Sequence, residues 1–452
     1  MRLAIHKSGH LAVSFLAVLI VTCGCQGIVS AQNSASAENA DTGSPPNILF
    51  YILDDVGLEP MPQYPEQGMP KAVTPTIDAL ADNGIVFDNV WVNPMCGPTR
   101  ATLVTGQYGV HSGFGGGPRA RLTSSHISLQ SFLEQHAPVD YATGAFGKWH
   151  VNDDPNALGV EYYAGLLGNI GRQNSYYAEW TFTENGKDTQ RTDYATTVTT
   201  DYAINWIDQQ DGGPWFAWIA HQSPHGPFHT PPEGMFTSNA DKSELSNLEN
   251  YIAMLESVDF ELNRLLDSLD PDERARTTVI VLGDNGTPGP VMPGSRGRVK
   301  GSIYQGGIHV PMIVSGYQVA RRGERESALV NGTDLFATIA DLAGTGVTRH
   351  GNGISQLELF SEAVPGPRKY AYSENGGGRN GRSWTVRDQR FKLIVSDAGE
   401  ELYDLQADAR EKNNLIAATS SDAEIAAALE TLRAVGERIL TDKDVDLGAT
   451  GD

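Results

Sequence analysis

Cysteine is scarce in this sequence, and its scarcity limits the chemistry that the protein can perform. There are three cysteines in 452 residues, and two of them, Cys23 and Cys25, fall in the N-terminal leader described below. Cys96 is therefore the only cysteine of the predicted mature chain, which excludes an internal disulfide. A lone cysteine is ordinarily buried and inert, so a chemical role for Cys96 has to rest on the residues around it.

Basic residues are also few: 33 Lys and Arg stand against 55 Asp and Glu, which gives a formal net charge of -22. The sequence pI is about 4.8. We do not expect such an acidic chain to bind nucleic acid, because phosphate backbones are bound by basic surfaces. Hydrophobic residues make up 40% and charged residues 19% of the chain. These fractions are typical of a globular enzyme, and the length suits one large domain with a subdomain.

The N-terminus has the features of a secretory signal. Arg2 and Lys7 precede an apolar run over residues 11–21, which is too short to span a bilayer as a mature helix. Small residues follow, and Val29-Ser30-Ala31 resembles an ordinary cleavage site. We therefore predict a signal peptide over residues 1–31 and an exported protein, either periplasmic or extracellular.

A lipoprotein leader is the alternative, because Gly24 precedes a cysteine that could carry a lipid. In that case Cys25 would anchor the protein, and this is the one membrane attachment that we expect. Residues 32–46 are rich in Ser, Ala, Asn and Gly and predict a flexible tether in either case.

The pattern of residues 47–364 indicates an α/β domain. Continuous apolar runs, of the kind that forms buried parallel strands, cover residues 47–53, 215–220, 278–282 and 311–314. Apolar residues at three- and four-residue spacing predict helices over residues 76–83, 194–209 and 248–269. This alternation predicts a large mixed, mostly parallel sheet flanked by helices.

The pattern of predicted secondary structure changes at about residue 365. Short alternating strands are predicted over residues 383–387, 390–395 and 401–405, and a final helix over residues 423–440. We therefore assign residues 365–452 to a small C-terminal subdomain.

Each predicted parallel strand of the first domain ends in polar residues. The first run is followed by Asp54 and Asp55, the second by His221 and His225, and the third by Asp284 and Asn285. Because ligands of such sheets bind at the carboxyl ends of the strands, we expect these side chains to converge on one edge.

The acidic members of this group suggest a metal site. Neighbouring carboxylates repel each other unless a cation lies between them. Asp54, Asp55 and Asp284 with the amide oxygen of Asn285 form a set of hard oxygen ligands. Such a set favours Ca²⁺ or Mg²⁺ over zinc.

The sequence around Cys96 carries the most specific pattern. Cys96-x-Pro98-x-Arg100 is followed by Leu103-x-Thr105-Gly106. This stretch resembles the site at which type I sulfatases, members of the alkaline phosphatase superfamily, convert a cysteine to formylglycine with the help of a maturation enzyme. Further motifs of that family follow in the expected order, so the resemblance covers most of the predicted mature chain. The C-terminal part resembles the small antiparallel-sheet subdomain of the same family.

The resemblance implies a nucleophile and a metal site. Cys96, as formylglycine, would form a hydrate that attacks the sulfur of a sulfate ester and joins the ligands of a divalent cation, usually calcium and alternatively magnesium. The implied metal ligands are Asp54, Asp55, Cys96, Asp284 and Asn285. Arg100 would orient the hydrate and neutralise nearby charge.

The resemblance also implies roles for four further residues. Lys148 in Gly-Lys-Trp-His would bind sulfate oxygens, and His150 would be the base that releases sulfate. His225 in Pro-His-x-Pro would protonate the leaving alcohol, and Lys300 would bind near the bridging oxygen. His221 and His229 are expected to be structural or to lie at the substrate rim.

Two positions depart from the family pattern in the segment after Lys300. Gln305 stands where an acid is commoner, and His309 where an arginine is commoner. Both lie outside the implied sulfate-binding set, so they put local structure or substrate fit in question rather than the reaction.

The predicted function is that of a secreted sulfatase whose substrate is a sulfated carbohydrate. A formylglycine-dependent hydrolase of phosphonate or phosphate esters is one alternative, and a non-catalytic lipoprotein that binds sulfated glycans is another. Six aromatic residues could line a sugar platform or could serve ordinary packing: Trp149, Tyr162, Tyr163, Tyr176, Tyr177 and Trp180.

Overall fold

The computed structural model describes residues 45–65, 68–114, 120–170, 179–376 and 382–448. Pro45–Asp452 form one compact unit. The predicted signal peptide and nearly all of the predicted tether lie outside the described residues. Within the described ranges, no helix has the length and apolar character that crossing a membrane requires.

A ten-stranded sheet forms the centre of the molecule, in the strand order β10-β2-β9-β8-β1-β7-β3-β4-β5-β6. Its strands are β1 (Asn47–Leu53), β2 (Gly84–Trp91), β3 (Ala142–Lys148), β4 (Tyr162–Leu166), β5 (Trp180–Glu184), β6 (Lys187–Arg191), β7 (Trp215–Ala220), β8 (Thr277–Gly283), β9 (Met312–Gly316) and β10 (Glu324–Asn331). The five central strands from β8 to β4 are parallel neighbours. The mixed, mostly parallel sheet predicted from the sequence is therefore confirmed.

One of the four apolar runs behaves differently from the expectation of a parallel strand. β9, which contains most of the run over residues 311–314, pairs antiparallel with both β2 and β8. A strand that is buried on both faces reads as a continuous apolar run whichever way it points, so the run alone did not fix its direction.

Helices cover both faces of this sheet. The α-helices of the described residues are α1 (Pro75–Asp82), α2 (Cys96–Thr105), α3 (Gly109–Ser112), α4 (Leu129–His136), α5 (Ala195–Asp208), α6 (Asn247–Ser268), α7 (Pro271–Ala275), α8 (Gln305–Ile308), α9 (Asp334–Leu342) and α10 (Ala423–Thr441). Short 3₁₀ helices within the described ranges include Asn156–Leu158, Gly289–Val291, Leu357–Phe360 and Ile416–Ser420. The helices predicted at 76–83, 194–209 and 248–269 correspond to α1, α5 and α6, within one residue at each end.

Strand β1 shows how the two faces are built. Leu49, Tyr51 and Leu53 join a core with residues of α1, α5 and α6. The alternate side chains, such as Phe50 and Ile52, join a second core with residues of α2, α4 and α9. Successive side chains of a strand point to opposite faces, so one fully apolar strand supplies both cores.

The C-terminal region forms its own sheet. Its strands are β13 (Ala371–Gly376), β14 (Arg382–Arg387), β15 (Phe391–Ser396) and β16 (Gly399–Asp404), and each pairs antiparallel with the next. Residues of α10 pack in one core with this sheet. A small two-stranded sheet, β11 (Arg349–His350) with β12 (Gly353–Ile354), lies between α9 and this region in the chain. The predicted antiparallel sheet is confirmed, and the boundary at residue 365 stays a prediction.

The register of the central strands explains where polar residues gather. Leu53 at the end of β1 pairs with Gly283 at the end of β8. Ala220 at the end of β7 pairs with Ile52 of β1 and Gly147 of β3. Four strands therefore end at the same level, and the residues after them meet at one edge.

Candidate active site

Cys96 lies at the first position of α2, at this edge of the sheet. The helix begins at Cys96 itself. Pro98 is tolerated because the first N–H groups of a helix have no partner inside the helix. The side chain is 2% exposed, and burial raises the pKa of the Cys96 thiol, although Lys148 and Lys300 oppose this. An unmodified Cys96 is therefore a poor nucleophile, because the thiolate is the reactive form.

The four predicted oxygen ligands lie together and are buried. Asp54, Asp284 and Asn285 have no exposed surface, and Asp55 is 2% exposed. Asp284 Oδ1 accepts from the Asp55 backbone N–H at 3.0 Å, and Asn285 Nδ2 donates to Asp55 Oδ1 at 2.9 Å. These contacts fix the relative positions of residues that follow β1 and β8.

The cluster fits a hard divalent cation. Ligand atoms of Asp54, Cys96 and Asp284 all lie within 4.8 Å of one another, and so do those of Asp54, Asp55 and His225. Asp54 Oδ1 and Asn285 Oδ1 are buried and have no hydrogen-bond partner among the described residues. A buried oxygen without a partner is unfavourable, and coordination of a cation would satisfy both.

The pKa shifts of the clustered carboxyl groups also favour a bound cation. Burial alone would raise the pKa of Asp54, but Lys148, His225 and Arg100 together hold it below its ordinary value. Burial and the charge of Asp54 raise the pKa of Asp284. Two carboxylates in one buried site compete for ionisation, and a cation between them would relieve that competition.

Arg100 is fully buried against the acidic cluster. Its Nε donates to Asp284 Oδ2 at 3.0 Å, and its Nη2 lies 3.5 Å from Asp54 Oδ2. Its Nη1 donates to the backbone oxygen of Lys148. Arg100 therefore neutralises the carboxylates and also links α2 to the end of β3.

Lys148 and His150 both reach Cys96. Lys148 Nζ donates to Asp54 Oδ2 and lies 3.4 Å from Cys96 Sγ. His150 Nδ1 lies 3.3 Å from Cys96 Sγ. β3 ends at Lys148, and His150 has a φ of +66°, so a turn after the strand brings its ring to the thiol.

His150 is held in its neutral form. Burial and the positive charges of Lys148 and Arg100 lower its pKa to about 3. A neutral imidazole has a free nitrogen that can accept a proton, so His150 suits the role of a base beside Cys96.

His225 and Lys300 stand at the open side of the cluster. Their side chains are 19% and 13% exposed, whereas those of Arg100 and Lys148 are fully buried. Lys300 Nζ donates to Asp55 Oδ1, and His225 Nε2 lies 3.9 Å from Asp55 Oδ2. Burial alone would lower the pKa of Lys300, but Asp55, Cys96 and Asp54 raise it above its ordinary value. The structure thus brings together every residue of the predicted site.

Four neighbouring residues that were expected to lie outside the catalytic set contact other side chains of the fold. His221 is fully buried with its ring centroid 5.3 Å from that of Tyr51, so it does not line the substrate rim. His229 Nε2 lies 3.2 Å from the Tyr194 hydroxyl. The two departures from the family pattern contact each other, because Gln305 Nε2 lies 3.3 Å from His309 Nδ1.

The suggested sugar platform is wrong for most of the aromatic residues that the structure describes. Trp149, Tyr163 and Trp180 are at most 1% exposed and belong to the cores. Tyr162 stacks on Trp206 with ring centroids 6.5 Å apart. Tyr176 and Tyr177 lie outside the described residues. The four described aromatics, Trp149, Tyr162, Tyr163 and Trp180, serve ordinary packing, which was the alternative interpretation.

The sequence did not predict a role for one charged residue near the site. Lys392 in β15 is fully buried, and its Nζ donates to the backbone oxygen of Ile303, three residues after Lys300. The available signal was a lysine inside an otherwise apolar run, between Phe391 and Leu393.

Comparison with family models gives two matches. The model described as Sulfatase matches residues 46–345. A second model, described as N-sulphoglucosamine sulphohydrolase, C-terminal, matches residues 299–436.

Among curated proteins, the chain is similar to an N-acetylglucosamine-6-O-sulfatase of Bacteroides thetaiotaomicron. The two are 26% identical, and the match covers 86% of this chain and 85% of that protein. It is also similar to an ulvan-active sulfatase of Formosa agariphila, with 23% identity over 90% of this chain and 84% of the relative.

Solved structures show the same fold. Ps i-CgsB in complex with k-i-k-neocarrahexaose matches with a TM-score of 0.75 and 24% identity, over 89% of this chain and 94% of that one. BT4656 in complex with D-glucosamine-2-N,6-O-disulfate matches with a TM-score of 0.73 and 21% identity, over 89% of this chain and 99% of that one.

Proposed function

The chain belongs to the sulfatase family and is a sulfuric ester hydrolase, and we propose that it removes sulfate from sulfated carbohydrates. The observation that carries the proposal is the buried cluster in which Cys96 meets Asp54, Asp284, Lys148 and His150. The carbohydrate substrate is supported by relatives named for N-acetylglucosamine 6-O-sulfate and for ulvan.

We propose that a maturation enzyme converts Cys96 to formylglycine, the hydrated aldehyde of which supplies the nucleophilic hydroxyl. The buried thiol itself is poorly suited to attack, because its pKa is raised. Modification before folding is required, since the side chain is 2% exposed in the folded protein.

We assign the divalent cation to Asp54, Asp55, Asp284, Asn285 and the modified residue 96. The cation would be Ca²⁺, with Mg²⁺ as the alternative, because all of these side chains offer oxygen. When bound, it supplies positive charge that lowers the pKa of a coordinated hydroxyl and opposes the charge of the sulfate. Arg100 keeps two of the carboxylates in place.

The remaining side chains bind the ester and move protons. Lys148, beside residue 96, would bind sulfate oxygens. His225 and Lys300, at the open side, would face the leaving alcohol, and His225 would donate the proton that the departing oxygen takes up as its bond to sulfur breaks. That bond would break as the ionised first hydroxyl of residue 96 forms its own bond to sulfur. His150 would then take the proton of the second hydroxyl. The carbon–oxygen bond to the sulfate group would break in the same step, which restores the aldehyde and releases sulfate.

Turnover of defined substrates tests this assignment. Purified protein from a host with a maturation enzyme would be assayed with sulfated mono- and oligosaccharides, 4-nitrophenyl sulfate and a 4-nitrophenyl phosphonate ester. We expect sulfate release from at least one saccharide and a larger kcat/KM for the aryl sulfate than for the phosphonate. A larger kcat/KM for the phosphonate would support the alternative hydrolase. Turnover of aryl sulfate without release from any saccharide would contradict the carbohydrate assignment.

A further inference from the structure

Lys300 is carried by a segment with little regular structure. Residues 298–305, called the Lys300 segment, follow the 3₁₀ helix Gly289–Val291 in the chain and end at the first residue of α8. The backbone N–H of Lys300 donates to Thr287 O at 3.1 Å, and that of Gly301 donates to Pro94 O at 2.8 Å. The segment forms no strand, so its position depends on these two backbone hydrogen bonds and on side chains from elsewhere in the fold.

A buried ion pair of the C-terminal region holds the segment after Lys300. Lys392 Nζ in β15 donates to the backbone oxygen of Ile303 at 2.8 Å and lies 2.6 Å from Glu411 Oε1. Glu411 Oε2 accepts from the backbone N–H of Gln305 at 2.7 Å. The two charged groups thus contact two backbone positions within five residues of Lys300.

The same pair is connected to the segment before Lys300. The Arg298 guanidinium donates to the backbone oxygen of Glu411 and lies 4.3 Å from the centroid of the Tyr304 ring. The Tyr304 hydroxyl in turn donates to Glu401 at 2.8 Å. Lys300 is therefore held on both sides by residues of the C-terminal region.

Stability alone does not explain this arrangement. Lys392 and Glu411 are 0% and 1% exposed, and burying two charges costs free energy that their attraction does not always recover. The desolvation is evident in Lys392, because burial lowers its pKa to about 8 against the opposing effect of Glu411. An apolar pair could fill the same space, but it could not direct one donor and one acceptor at the segment backbone.

We propose that Lys392 and Glu411 are positioning residues, which fix the Lys300 ammonium at the open side of the active site where the leaving oxygen departs. This inference rests on the proposed function, in which Lys300 acts on the leaving oxygen. It assigns the C-terminal sheet a part in the reaction through residues that do not touch the substrate. Loosening the pair should therefore impair departure of a poor leaving group more than attack on sulfur.

Substituted phenyl sulfates of rising leaving-group pKa, from 4-nitrophenyl to 4-methoxyphenyl, provide the test. The double variant Lys392→Met/Glu411→Gln removes both charges together, so neither is left buried and unpaired. We expect kcat for 4-nitrophenyl sulfate to stay within about threefold of wild type, and kcat for the poorest leaving group to fall on the order of 10–100-fold. Lys300→Ala should steepen the dependence on leaving-group pKa in the same way, and adding it to the double variant should have little further effect.

A matched control comes from the same region. Arg433 and Glu400 form an ion pair in which Arg433 Nη2 lies 2.6 Å from Glu400 Oε2, but the pair is partly exposed and does not contact the Lys300 segment. Arg433→Met/Glu400→Gln should leave the slope of log kcat against leaving-group pKa unchanged. Glu411→Asp, which keeps the charge but withdraws the carboxylate from Gln305, should give an intermediate slope if the double variant does not fold.

These variants distinguish a failure of the positioning role of Lys392 and Glu411 from a failure of the leaving-group role of Lys300. If Lys300→Ala steepens the slope while the double variant and Glu411→Asp lower all rates equally or not at all, the positioning role is overturned and the proposed function stands. If Lys300→Ala itself leaves the slope unchanged, the leaving-group role of Lys300 fails, and the positioning role fails with it.

Discussion

Asp54 and Asn285 each bury a side-chain oxygen that no described residue hydrogen-bonds. Both oxygens belong to the cluster that also contains Asp55 and Asp284. At the scale of single residues, this is the strongest structural reason to place a cation there. Proteins rarely leave buried polar atoms without a partner unless the group has a ligand.

The metal assignment predicts a calcium-dependent stability. Addition of Ca²⁺ to chelator-treated wild type should raise its melting temperature, since at 100 times Kd a ligand stabilises the folded state by about 2.7 kcal/mol. Asn285→Ala should lose most of this increase, because it removes one of the ligand oxygens. Differential scanning calorimetry with and without Ca²⁺ or Mg²⁺ measures the effect.

A surface acid serves as the control for the metal test. The Asp153 side chain is 83% exposed, and Asp153→Asn should keep the full calcium response. An equal response of wild type and Asn285→Ala would place the cation elsewhere.

Lys148 gives a second prediction at this scale. Its Nζ lies 3.4 Å from Cys96 Sγ and donates to Asp54 Oδ2. Lys148→Ala should lower kcat/KM for 4-nitrophenyl sulfate about 100-fold or more, since a buried charge that binds the reacting anion is lost. Steady-state kinetics of folded variant protein decide this, and a loss below about fivefold would contradict the assigned role.

At the scale of elements, the sequence predicted the members of the sheet better than their directions. β1, β7 and β8 were predicted because each is a bounded apolar run with polar residues after it. The direction of β9 was not predicted, because an apolar run does not reveal which strands will pair with it, and one of its partners, β2, lies far away in the chain.

Asp259 of α6 shows how one helix fixes another. Its carboxylate accepts from the backbone N–H groups of Thr76 and Ile77, at 3.1 and 2.8 Å, where α1 begins. Burial raises the pKa of Asp259 to about 6, although these two hydrogen bonds oppose the shift. The group therefore stays protonated in the folded protein at pH values where the unfolded chain has lost the proton.

This raised pKa predicts a pH-dependent contribution to stability. The folded value of about 6 lies above the ordinary 3.8, so the contribution of Asp259 is full below about pH 4 and is lost as the pH rises through about 6. Relative to Asp259→Asn, wild type should lose about 2.4 kcal/mol of unfolding free energy between pH 4 and pH 7. Urea unfolding at several pH values measures the difference, and a pH-independent difference would contradict the raised pKa.

At the scale of the whole molecule, the site assembles residues from six separate stretches of the chain. The sequence predicted the set because each member follows a strand or stands in a family motif. It could not predict that Lys392, in the C-terminal sheet, reaches the Lys300 segment. A single lysine in a strand carries no signal of the backbone that it contacts.

Export is a property of the whole chain that its N-terminus predicts. We propose that the protein leaves the cytoplasm and is cleaved after Ala31, so that the mature chain begins at Gln32. Intact-mass measurement of the protein from an exporting host should give that N-terminus. A lipid-modified chain that begins at Cys25 would instead support the lipoprotein alternative.

If Cys96 becomes the aldehyde nucleophile of a sulfatase, mass spectrometry of the tryptic peptide that contains residue 96 should detect the conversion. Trypsin releases residues 72–100 as one peptide, because no Lys or Arg lies between Lys71 and Arg100. Protein made with a maturation enzyme should give a lighter, aldehyde-reactive form of this peptide, and its share should rise in proportion to the rate of sulfate release. An intact thiol in preparations that release sulfate at full rate would contradict the account.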